Sequence, residues 1–131
     1  MNTHAAFSTL RRSGLALAIA ALALAGCNKS KSNNPVVSGP TANVSIVMNA
    51  FNMGANAYAP DPVTVAAGTT VIWKNNDSQT HTVTSTTAGE SYNMAIAPGS
   101  TGSHLFSNAG TFTYHCTVSG HTMNGSVVVN P

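Results

Sequence analysis

Four side chains with an affinity for soft or borderline metals stand in two places along this 131-residue chain. His81 follows a polar turn, Asn75-Asn76-Asp77-Ser78-Gln79-Thr80, while Cys116, His121 and Met123 lie close together further on. Two imidazoles and a thiolate, with a thioether held more weakly, suit an ion that shuttles between Cu(I) and Cu(II). The soft sulfur favours the reduced ion, and imidazole tolerates both forms. Zinc prefers four strong ligands in structural sites, or three and a water in catalytic ones. The donor set therefore favours copper.

Cysteine usage points the same way. The chain has two cysteines, Cys27 and Cys116. Cys27 ends the sequence Leu24-Ala25-Gly26-Cys27, which closes an apolar run from Leu15 preceded by Arg11 and Arg12. Such a run falls short of the ~20 residues needed to span a bilayer but suits the apolar region of an export signal. Small residues directly before the cysteine resemble the lipobox of bacterial lipoproteins. That resemblance implies a signal peptide over residues 1–26, cleavage before Cys27, and lipid on the Cys27 sulfur. The mature protein is then expected in the cell envelope, anchored to a membrane with its domain facing the periplasm or the exterior. Cys116 is left without a partner in an oxidising compartment, where an unoccupied thiol is a liability.

The elements that must position these ligands read as all-β. Residues 27–42 are polar and rich in Ser, Asn and Pro, a flexible tether. From Asn43 to the end, short runs of β-branched and aromatic residues alternate with turn signals: Pro60-Asp61-Pro62, Ala66-Ala67-Gly68, Ala97-Pro98-Gly99 and Asn108-Ala109-Gly110. This pattern predicts one domain, 43–131, folded as a Greek-key β-sandwich of seven to eight strands. Its expected core is Val44, Ile46, Val63, Val65, Val71, Trp73, Val83, Ile96, Leu105, Phe106, Phe112, Tyr114, Val127 and Val129. Beyond Cys27, Lys29, Lys31 and Lys74 balance Asp61, Asp77 and Glu90. A neutral chain without clustered Lys and Arg excludes nucleic acid as a partner.

The stretches Val71 to Asp77 with His81-Thr82-Val83, Ala97-Pro98-Gly99, and Gly110 to Cys116 through Met123-Asn124-Gly125 resemble the plastocyanin and azurin family of cupredoxins. The resemblance runs from about Val44 to Val129. It implies one copper ion with His81, Cys116 and His121 as equatorial ligands and Met123 as the axial one. It also implies electron transfer rather than catalysis, with redox proteins as partners and no small-molecule substrate. A copper carrier delivering the metal to a membrane enzyme is the alternative function. In the family the loop histidine, here His121, reaches an apolar surface patch and is the expected electron exit. Met53, Ala97, Gly99 and Gly120 are the expected members of that patch.

Two features depart from the family pattern. The second histidine comes five residues after the cysteine, with Ser119 at the plastocyanin position, and only Thr122 separates His121 from Met123. Thr82 stands where many members have a bracing asparagine, and its hydroxyl can make a similar hydrogen bond. Strand alternation turns His115 outward, opposite Tyr114 and Cys116, which makes it a second candidate exit one covalent step from the thiolate. His104 is expected on a solvated sheet face, and Met48, Met53 and Met94 in packing or surface roles. Glu90 is the carboxylate to watch for an enzymatic red-copper site.

Overall fold

The computed structural model describes residues 39–131. The expected signal peptide, the lipidated Cys27 and the tether up to residue 38 lie outside the described residues. Among the described residues nine strands form: β1 (Thr41–Ile46), β2 (Tyr58–Ala59), β3 (Val63–Ala66), β4 (Thr69–Asn75), β5 (His81–Ser85), β6 (Asn93–Ile96), β7 (Thr101–Phe106), β8 (Gly110–His115) and β9 (Asn124–Asn130). The two-residue β2 lay below the reach of the alternation pattern.

The strands divide into a four-stranded sheet, β2-β1-β4-β7, and a five-stranded sheet, β3-β9-β8-β5-β6. Two of the pairings, β1 with β4 and β3 with β9, are parallel, and both join strands distant in sequence. Such crossovers between antiparallel hairpins make the Greek-key sandwich. β1 begins at Thr41, inside the stretch read as tether, because its register on β4 starts there, with Thr41 opposite Thr70.

The inward faces follow the period of two. Val44 and Ile46, Val71 and Trp73, and Phe112 and Tyr114 are all buried, and Trp73 sits at the centre with rings of Tyr92, Phe106 and Tyr114 around it. Truncating so enclosed a ring costs about 3–5 kcal/mol. Thirteen of the expected core residues are buried; the exception is Leu105, 52% exposed. Leu105 and Phe106 are adjacent in β7, so only one can face inward, and Phe106 does.

His104 also departs from its expected role. It is half-buried, with Nε2 2.5 Å from Glu90 Oε1 and its ring centroid 4.3 Å from that of Tyr92, tilted by 33°. Glu90 comes from the loop between β5 and β6, so this pair spans the two sheets at one side of the sandwich. Met48 and Met53 are exposed, and Met94 packs against the core.

Candidate metal centre

The ligand cluster follows from how β5 and β8 pair. Thr84 lies opposite His115 and Ser85 opposite Tyr114 in an antiparallel register. Continued two residues further, that register sets Thr82 across from Thr117 and Val83 across from Cys116. Side chains alternate, so His81 and Val83 share the inner face with Cys116 and Tyr114, and all four are buried. His81 thus arrives beside Cys116 although 35 residues separate them.

His121 is delivered by the loop that joins β8 to β9. The Cys116 backbone N–H donates to the Met123 carbonyl at 3.1 Å and closes that loop, while the His121 N–H donates back to Val118 at 3.1 Å. Gly120 supplies the positive φ of 82° that this reversal requires. Beyond it, exposure alternates: His121 half-buried, Thr122 exposed, Met123 buried. His121 and Met123 therefore share one side of an extended segment. Where β9 leaves the loop, Gly125 packs under Tyr114, and a Cβ there would come within 2.6 Å of the phenol.

One ligand atom each from His81, Cys116 and His121 lies within 4.8 Å of the other two, the only such cluster among the described residues. His81 Nδ1 is 3.2 Å from His121 Nδ1, which is 3.5 Å from the Cys116 sulfur. The second nitrogen of His81 decides its tautomer. Nε2 lies 2.8 Å from Asp77 Oδ2, and an ionised carboxylate only accepts, so Nε2 carries the proton and Nδ1 turns a lone pair into the cluster. Burial pushes the Asp77 carboxyl up. Hydrogen bonds from His81, Ser78, Asn49 and Ala50 outweigh burial and lower it to about 2, keeping it ionised.

This donor set fits copper. Donors about 2.0–2.3 Å from a single ion lie roughly 3.5 Å from one another. The buried Cys116 is a free thiol. No carboxylate oxygen enters the cluster, and Glu90 is engaged with His104. The Thr82 backbone N–H points at the Cys116 sulfur from 3.3 Å. The Thr82 hydroxyl accepts from the Thr117 N–H at 2.7 Å, which supplies the brace anticipated from the missing asparagine.

A profile of the cupredoxin-like domain matches residues 14–129. The chain belongs to the cupredoxin-like family. Among solved structures, this cupredoxin is similar to a purple cupredoxin from Nitrosopumilus maritimus, with 27% identity and a TM-score of 0.60 over 68% of this chain and 99% of that one. It is also similar to an amicyanin variant in the Cu(I) state, with 26% identity and a TM-score of 0.55 over 69% and 82% of the two chains. Plastocyanin from Dryopteris crassirhizoma shares the fold at 22% identity, with a TM-score of 0.55 over 68% and 100%. The cofactor of a cupredoxin is one copper ion, and His81, Cys116 and His121 form a cluster able to hold it.

Three residues of this centre escaped the sequence reading. Asn75 is fully buried; its amide donates to the Gln79 and Ile96 carbonyls and its oxygen accepts from the Asp77 N–H, which shapes the turn leading to His81. Asp77 was legible only as part of a polar turn; its spacing of four before His81 was the available signal. Phe51, 38% exposed, lies with its ring 6.2 Å from that of His121, and its carbonyl accepts from the Thr122 N–H at 2.8 Å. Met53, Ala97, Gly99 and Gly120, the expected patch, are exposed as well.

Proposed function

We propose that this cupredoxin is a type 1 copper electron carrier, anchored to a membrane of the cell envelope through lipid on Cys27. The observation that carries the reading is the convergence of His81 Nδ1, Cys116 Sγ and His121 Nδ1 beneath a half-exposed imidazole. Copper bound there supplies a one-electron couple. His81, Cys116 and His121 would hold it, with the fully buried Met123 as a weaker fourth donor.

The other residues keep the ligands still between oxidation states. Asp77 fixes the His81 ring, the Thr82 N–H steadies the sulfur, and the clasp between Thr82 and Thr117 locks the two segments together. Three strong donors and one weak one leave no place for a substrate, so the site serves electron exchange and not metal-assisted hydrolysis. Redox proteins are the partners. They dock on the apolar surface of Phe51 and Met53 and receive the electron through the edge of His121. His115, half-buried on β8 and one covalent step from Cys116, is the rival exit. Amicyanin structures similar to this chain include Cu(I), reduced and oxidised forms, which supports a redox role.

Absorption and voltammetry of the copper-loaded protein test this. The expected result is an intense visible thiolate-to-copper band and a reversible couple, both lost in Cys116→Ser. Rapid surrender of copper to a chelator without a reversible couple would assign the protein to copper delivery instead. Mass spectrometry of the protein from membranes tests the anchor: an unacylated Cys27, or a chain retaining residues 1–26, removes it.

A further inference from the structure

The loop between β1 and β2 touches both ligand-bearing segments. At its start Asn49 has a positive φ of 59°, the only non-glycine residue so placed among the described residues. Asparagine tolerates that conformation, which turns successive backbone N–H groups towards one anion. The anion is Asp77. Its Oδ2 accepts the Ala50 N–H at 3.1 Å and, on the same oxygen, the His81 Nε2–H at 2.8 Å. Its Oδ1 accepts the Ser78 N–H at 2.7 Å. One residue past Ala50, the Phe51 carbonyl holds the Thr122 N–H next to His121. Asp77 is 4% exposed and His81 wholly buried, so water does not compete for these bonds.

We propose that Asp77 is a positioning residue that couples the exposed loop 49–53 to the His81 imidazole, so that the docking surface and the ligand ring move as one and the carboxylate charge sets the copper potential. This rests on the copper reading for its redox part alone. A buried negative charge on the far nitrogen of a ligand imidazole makes that ligand more basic and favours the more positive, oxidised ion. A partner that shifts Phe51 also shifts the Ala50 N–H, and with it the strength of the Asp77 bond to His81.

Asp77→Asn separates this role from a merely structural one. An amide keeps an oxygen able to accept from Ala50 and His81 but carries no charge, so it holds both donors more weakly than the carboxylate does. In the metal-free protein, hydrogen exchange read by NMR is expected to quicken at least tenfold at both the Ala50 amide and the His81 ring Nε2–H. In the copper-loaded variant, the equilibrium is expected to move at least tenfold towards the reduced form, about 59 mV upward for one electron. Asp77→Glu restores the charge but overreaches by a methylene, so it should return the potential without protecting Ala50. A variant Asp77→Asn whose Ala50 and His81 protons stay protected overturns the coupling. So does one that loses protection and keeps its potential to within twofold in that equilibrium. If the unaltered protein takes up no copper, the copper reading falls, and exchange in the metal-free protein still decides the bridge.

Discussion

The Thr82 hydroxyl accepts the Thr117 backbone N–H at 2.7 Å, so the strand that carries one imidazole is clasped to the loop that carries the thiolate. The two hydroxyls lie 3.0 Å apart as well. A methyl in place of this hydroxyl removes the clasp without opening a cavity. Thr82→Val is expected to lower the stability of the metal-free domain by about 1 kcal/mol, while Thr82→Ser stays within a few tenths. Urea unfolding measures both. Equal stability of the three proteins would show that the clasp contributes nothing.

Met123 offers a test that separates packing from ligation. It is fully buried, so Met123→Ala is expected to cost roughly 2–5 kcal/mol in either role. Met123→Leu conserves volume and costs less than about 1.5 kcal/mol. Removing an axial thioether weakens the hold on the oxidised ion, so Met123→Leu should raise the reduction potential at nearly unchanged stability. An unaltered potential and spectrum would make Met123 a core residue only.

All three tyrosines, Tyr58, Tyr92 and Tyr114, have phenols pushed up from the usual value near 10, with burial the largest cause at each. A group whose native pKa is raised contributes stability that is fully present below the unfolded value and is lost as pH climbs beyond it. The domain is therefore expected to keep its tyrosines neutral through pH ~10 and to lose stability above it. Ultraviolet titration should show no phenolate until the fold gives way, then all three together. A gradual one-by-one titration of the native protein contradicts this.

Phe51 and His115 distinguish the two electron exits. Phe51→Glu places a charge beside the His121 ring and is expected to slow self-exchange at least tenfold, with the visible spectrum unchanged. The chain from Cys27 onward carries balanced charge, so self-exchange of the unaltered protein should respond weakly to salt. His115→Ala is expected to leave the rate as it was. A slowed His115→Ala with an unaffected Phe51→Glu would move the exit to His115.

Much of this protein is local, and the chain alone determined it. Alternation along Val71 to Trp73 and Phe112 to Tyr114 specifies which side chains are inward, because a strand has a period of two whatever it pairs with. The solitary Cys116, with His121 five residues on, names a soft-metal site because donor chemistry does not depend on fold. Tertiary structure decided what depends on partners far away in sequence. Alternation could not say whether Leu105 or Phe106 faced the core until β7 paired with β4. His104 was free to be solvated until the β5–β6 loop brought Glu90 across to it. Asp77 acquired its meaning only when Ala50, 27 residues earlier, approached the same oxygen that holds His81. A hydrogen bond reaches about 3 Å, so such partnerships exist only once the sheets have closed.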